Sequence, residues 1–395
     1  MEAYVLDWLN LLLRWAHVVV AIAWIGSSFY FVFLDNSLVP PQDPELKAKG
    51  VDGELWAVHG GGFYNPQKYF VAPGRIPEHL HWFYWESYWT WLTGFALFTV
   101  LYLFRAATFL VDPNVHAWSG AAAIAASLGF LVVFWLVYDG LCRVWGQRPG
   151  GERIVGIAVA VFVVLASWLA CQLFAGRAAF LLVGAMLATA MTANVAHWII
   201  PGQRKVIAQM KAGEPVDPRH GQRAKQRSVH NTYFTLPVLA AMLSNHYGFL
   251  YTGPHNWLVL VVMMAAGALI RHSFVARHKA LVQQRRVPWE YAAAGPLMLV
   301  GIAAWTAPAT GPAAAAAVTF ADVQPVIAQR CVLCHNEQVV SKNVQLHTPA
   351  LIRQHTQAIY QQTVAARTMP LNNATRMTEA ERALIARWVE SGAPP

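Results

Sequence analysis

The chain has 395 residues, of which 56% are hydrophobic and only 12% charged, and its formal charge is +9. So low a charged fraction, with the apolar residues gathered in long runs, excludes a soluble domain for the first 305 residues and places them in a membrane. The surplus of Lys and Arg sorts mainly into loops on one side of that membrane, so it calls for no nucleic-acid partner.

Eight segments are long enough to cross a bilayer: 8–34, 83–104, 117–141, 154–174, 178–200, 233–250, 255–270 and 291–305. The last three are short or partly polar, which leaves a range of seven or eight. Eight is favoured by the loop charges: alternate loops then carry 19 Lys and Arg on one side, against Arg105 and Arg177 alone on the other. Positive loops stay in the cytoplasm, so both termini are expected outside. The first span is not read as a cleaved signal, because Glu2 and Asp7 make its start acidic and no small-residue cleavage site follows. Cys142 and Cys171 fall at opposite ends of spans three and four, too far apart for a disulfide.

The first cytoplasmic loop, 35–82, holds His59-Gly-Gly-Gly-Phe-Tyr64, followed by Lys68-Tyr69. Three glycines allow a close backbone approach to a ligand, and aromatic residues beside Asn65, Gln67 and Lys68 suit a flat polar heterocycle. His59, Lys68 and Tyr69 are therefore candidates for a substrate loop, although a plain turn is the simpler use of such glycines. The spacing fits neither a P-loop nor a dinucleotide fingerprint.

Polar residues inside a membrane are costly and mark function. His79, His81 and Glu86 enter span two from the cytoplasm, His197 lies near the inner end of span five, His230 begins span six, and His272 ends span seven with some extension of it. They are expected to form one band at the cytoplasmic end, as a substrate site, a proton path or a metal site. Toward the outer side, Arg14 and His17 share a face of span one, and His246 lies near the outer end of span six. A haem b between helices would suit His17 with Arg14 at its propionates and His246 as the partner ligand. Interfacial histidines bonded to backbone or headgroups are the plainer reading.

The composition changes after residue 306. The Pro/Gly/Ala stretch 307–317 reads as a linker, and 318–395 as a small domain outside the membrane. Its Cys331-Val-Leu-Cys334-His335 run is the attachment signature of a covalent haem c: two thiols add to the vinyl groups and His335 ligates the iron. A zinc site would need a second ligand pair, and no other Cys follows Cys171. Met369, 34 residues after His335, is the expected second axial ligand to the haem iron. Met377 competes but precedes the capping box Thr378-Glu-Ala-Glu381, and His347 and His355 are further options. Helices are expected over 320–329, 349–366 and 378–391, the pattern of a class I cytochrome c. Bacteria attach c-type haems in the periplasm, which agrees with the charge count. The fold class is therefore all-α: a polytopic membrane helix bundle of about eight transmembrane helices, then a small cytochrome c domain.

The Arg14-Trp-Ala-His17 and Trp24-Ile-Gly-Ser27 runs, the His59-Gly-Gly-Gly-Phe-Tyr64 loop, His81-Trp-Phe-Tyr-Trp-Glu86 and the CVLCH motif with Met369-Pro370 resemble the bacterial membrane-bound urate oxidases, or cytochrome c urate oxidases. The resemblance covers the whole length and implies an integral membrane urate oxidase domain at 1–306. It implies oxidation of urate to 5-hydroxyisourate in the inner membrane. Electrons would pass to haem c and on to a respiratory-chain cytochrome c or terminal oxidase. It brings no catalytic residues, so His81, Glu86, His197, His230 and His272 stand as catalytic candidates on the residues alone. A quinol-oxidising electron-transfer subunit is the alternative, since quinone sites also use His, Glu and aromatic residues.

Overall fold

The computed structural model describes residues 2–69, 72–307 and 318–395, so the expected linker lies, beyond Ala307, outside the described residues. Each of the eight apolar segments falls on a helix. The first is α1 (Glu2–Ser37), and after it come a short α2 (Pro44–Ala48) and two small antiparallel sheets. Strand β1 (Gly53–Glu54) pairs with β4 (Gln67–Lys68), enclosing the hairpin of β2 (Ala57–His59) and β3 (Gly62–Tyr64). Gly60 and Gly61 make its turn at φ +58° and +80°, a conformation that glycine adopts without a Cβ penalty.

Then come α3 (Trp85–Phe98), prolonged by a wide turn over Thr99–Leu103, and the single-turn α4 (Ala106–Phe109). Helix α5 (Gly120–Trp145) starts where Ser119 accepts the Ala122 N–H, and α6 (Gly151–Leu173) returns antiparallel to it. Helix α7 (Gly176–Asn194) continues through a wide turn, Val195–Ile199, into α8 (Ile200–Lys211). Pro201 explains that turn: it lacks an N–H, and its ring crowds the carbonyl four residues back, so the ladder widens just before it. Asp217 caps α9 (Pro218–Leu243) by accepting the Arg219 N–H, and α10 (Asn256–Val282) and α11 (Trp289–Trp305) complete the bundle.

Five of these helical stretches have the length and apolar character to cross a membrane: Tyr4–Ser37, Gly120–Trp145, Gly151–Leu173, Gly176–Lys211 and Asn256–Val282. Helix α7 is the centre, with Phe180, Leu182, Met186 and Leu187 buried among α5, α6 and α9. Close approach there depends on Gly184, where a Cβ would lie 3.0 Å from Ala241 of α9. By contrast α1 is peripheral, with Trp8, Trp15, Val19 and Ile22 facing outward.

The C-terminal part forms its own core from Phe320, Val323, Ile327, Ile352, Ile385 and Trp388. Helix α12 (Phe320–Arg330) and the last helix pack through Phe320 against Trp388, with ring centroids 5.8 Å apart. The expected helix over 349–366 is broken into α13 (Pro349–Gln354), α14 (Thr356–Tyr360) and a wide turn over Gln361–Ala365. The break sits at His355, whose backbone leaves the helical region while the Thr356 hydroxyl takes over the Arg353 carbonyl. Helix α15 (Glu379–Glu390) carries the expected capping box between Thr378 and Glu381.

Candidate functional site

The strongest polar constellation in the bundle lies where the C-terminal end of α5 meets the α7–α8 turn and the start of α9. Asp139 is buried there and accepts three N–H groups: Arg227 Nη2 at 2.6 Å, Arg143 Nε at 2.5 Å and Trp198 Nε1 at 2.7 Å. Arg227 is buried as well, with Tyr138 and Trp198 ring centroids 5.0 and 5.1 Å away. Three guanidinium groups, those of Arg143, Arg223 and Arg227, thus surround one indole. A cavity of about 260 Å³ opens beside them, lined further by Gln147 and Gln226.

A second chain of hydrogen bonds leads inward. Asn194 donates to the Tyr138 hydroxyl and to Asn231, each at 2.9 Å, and Tyr138 in turn meets His230 Nδ1 at 2.9 Å. The Cys142 thiol lies 3.8 Å from the same imidazole nitrogen. The two halves can therefore do different work: cations and carboxamides can hold a polar anion, while a tyrosine–histidine pair can move a proton.

The members of the expected histidine band do not share contacts among the described residues, and only His230 joins this network. His272 accepts or donates to Tyr233 at 2.8 Å and stands edge-on to Tyr291, between α9, α10 and α11. His197 points outward and bonds the Ala193 carbonyl, His81 is exposed against Phe83, His79 is exposed, and Glu86 is half-buried in the first turn of α3. The reason is rotational: residues at one depth on different helices face different neighbours. No group of three His, Cys, Asp or Glu is placed to hold a metal ion among the described residues.

The candidate substrate loop is tied by local polar contacts. Lys68 pairs with Asp35 at 2.5 Å, Asn65 donates to Glu54, and His59 is exposed at the hairpin end, with Tyr69 half-buried after β4. On the outer half, His17 Nδ1 meets Thr93 Oγ1 at 3.0 Å, and the Thr93 hydroxyl is already given to the Trp89 carbonyl. His17 therefore donates through Nδ1 and keeps the lone pair of Nε2. Arg14 turns back to Asn10, and His246 is exposed in a separate turn, so the expected trio is not drawn together by contacts of its own. Arg271, missed in the sequence, is buried against the Phe29 ring at 3.8 Å, and its Nε and Nη2 have no partner among the described residues.

In the C-terminal part, Cys331 closes α12 and is buried, while Cys334 is exposed. Burial pushes the Cys331 thiol up to about 11, the reverse of what a reactive redox C-x-x-C requires. His335 Nδ1 lies 3.0 Å from the Val344 carbonyl. A carbonyl can only accept, so Nδ1 carries the proton and Nε2 is left free to ligate. Met377 is buried in the core, whereas Met369 is half-buried in a loop whose carbonyl accepts from Arg382 at 2.9 Å. This donor set fits a covalently held haem: two thiols, an oriented imidazole and a thioether held by its backbone.

A larger cavity of about 620 Å³, lined by Arg177, Asn256, Arg367 and Arg376 among others, contains none of the predicted histidines. Neither the curated proteins nor the solved structures include a match to the chain. The family model described as urate oxidase N-terminal matches residues 3–307, the whole helical bundle, and the chain belongs to that family.

Proposed function

We propose that the protein is a membrane-bound oxidoreductase that converts urate to 5-hydroxyisourate, with a haem c on its C-terminal domain as electron acceptor. The reading is carried by one pairing: a urate oxidase N-terminal match over the bundle, joined to a C-x-x-C-H motif whose histidine keeps Nε2 free. Cys331 and Cys334 would hold the haem, with His335 and Met369 as axial ligands. When bound, it supplies a one-electron acceptor at a potential raised by thioether ligation.

Urate and one water give 5-hydroxyisourate, two electrons and two protons. The chain must therefore hold a planar anion and remove protons. The His230–Tyr138 pair, or Tyr233 with His272, suits the second task. The eight helices would cross the inner membrane with both termini in the periplasm, and a respiratory-chain cytochrome c or terminal oxidase would take the electrons onward.

An anaerobic visible spectrum of the oxidised protein, before and after urate, tests this. Reduction of the c-type α-band by urate alone is the expected result. Reduction by quinol and not by urate would replace it with the electron-transfer reading.

A further inference from the structure

The cavity beside Trp198 has features that go beyond a cluster of topology-setting cations. Its guanidinium groups are not all spent. Arg227 is committed to Asp139, and Arg143 gives Asp139 its Nε only, so its two terminal nitrogens have no acceptor among the described residues. Arg223 lies over the same indole and forms no ion pair among the described residues. Three cations against one carboxylate leave a net charge of +2 around a space of about 260 Å³. Arg143 and Arg223 are exposed, so this excess is a surface field that draws an anion to the mouth of the space.

The uncharged lining narrows the choice of anion. Gln226 gives its N–H to the Gly146 carbonyl at 2.8 Å, which fixes its carboxamide at the cavity wall. Gly146 makes this geometry available, because a Cβ there would lie 2.5 Å from the Gln226 side-chain oxygen. Gln147 adds a second carboxamide. Guanidinium donors match ring carbonyls and carboxamide oxygens match ring N–H groups, while Trp198 adds an aromatic wall. The volume lies just below the usual range for ligand pockets, about 300–1,000 Å³, so one small ring system fits and a drug-sized molecule does not. A quinol head, being neutral, would leave the cations unanswered.

We infer that this cavity, between the end of α5, the α7–α8 turn and the start of α9, binds a planar purine anion, with Arg143, Arg223, Gln147, Gln226 and Trp198 as its binding residues. This rests on the urate reading above and locates the substrate at the bundle end that also carries His230. Asp139 and Arg227 form the frame that fixes Trp198 and Arg143 around it.

The test is equilibrium dialysis of labelled urate, under anaerobic conditions, against the full haem-loaded protein in detergent. Arg143→Gln and Arg223→Gln are each expected to weaken binding about tenfold to hundredfold, the range for one lost charge-assisted hydrogen bond. Arg223→Lys should recover only part of it, since the planar fork is lost. Lys211→Gln and Arg376→Gln, which lie outside the cavity, should bind as the parent does. An intact ascorbate-reducible α-band serves as the folding check. In urate-dependent haem reduction the loss should appear in KM more than in kcat.

Parent-like binding in both Arg143→Gln and Arg223→Gln overturns the siting while leaving the urate reading intact. A loss in Arg376→Gln instead moves the site to the larger cavity. Unchanged urate binding with loss of bound lipid phosphorus gives this cavity to a headgroup. Failure of the parent protein both to bind urate and to be reduced by it removes the urate reading and the siting together.

Discussion

Breaking the Asp139–Arg227 pair should cost more than removing it altogether. The side chains are 6% and 3% exposed, and the contact is 2.6 Å. In Asp139→Leu, Arg227 keeps only the Asn194 side chain and the residue-139 carbonyl, at 3.5 and 3.4 Å, and the Trp198 N–H loses its acceptor. Stranding a buried charge costs about 3–5 kcal/mol, and an unsatisfied buried N–H about 1–3 kcal/mol more, though the two do not add fully. The Arg143 contact adds little, because that side chain is 59% exposed. Asp139→Leu combined with Arg227→Leu strands neither charge and should therefore unfold less readily than either single variant. The difference is read by SDS-driven unfolding with a thiol-reactive dye. On the proposed thioether linkage of Cys331 and Cys334, only the buried Cys142 and Cys171 remain to report opening of the bundle. A single variant within about 1 kcal/mol of the parent, or a double variant as unstable as the worse single, would refute the reasoning.

Met369→Leu should keep covalent haem in a pyridine haemochrome but lower its potential, whereas Met377→Leu, a near-isosteric change in the core, should cost under about 1.5 kcal/mol and leave the potential unchanged. The reverse pattern would make Met377 the ligand. Burial raises the Glu381 carboxyl, but hydrogen bonds from Thr378 and Arg330 outweigh it and hold the group below its ordinary 4.5. Its contribution is therefore present above that value and lost as pH falls through the lower folded one. Thermal midpoints of the C-terminal part, followed by the Soret band of the proposed haem from about pH 6 to 3, should fall less steeply in Glu381→Gln. An equal slope would count against that account. Gly94→Ala would set a methyl 2.8 Å from His17 Cε1, at a cost of about 1–3 kcal/mol that His17→Ala should relieve. A neutral Gly94→Ala would mean that α1 does not pack on α3 as described.

Features carried by one stretch of chain were legible without the structure. The eight apolar runs fall on helices, the Thr378–Glu381 box opens the last one, and the glycine run after His59 turned out to be a hairpin turn, its simpler reading. The polar network was not legible, because each member comes from a different helix and looks ordinary in its own neighbourhood. Trp198 reads as an interfacial aromatic, Asn194 as a tolerated amide, and Arg227 as one more basic residue of a cytoplasmic loop. One signal was there to find: Asp139 is a carboxylate inside the apolar run 130–142, and such a residue needs partners from elsewhere. Charge counting pointed the other way, since a rule that reads Lys and Arg as topology markers assigns Arg143, Arg223 and Arg227 to the cytoplasmic face and looks no further. The histidines misled for the same geometrical reason. Depth along a helix follows from sequence position, but whether His197 and His230 face one another depends on how α7 and α9 are rotated, which the wide turn before Pro201 and the close contact at Gly184 decide.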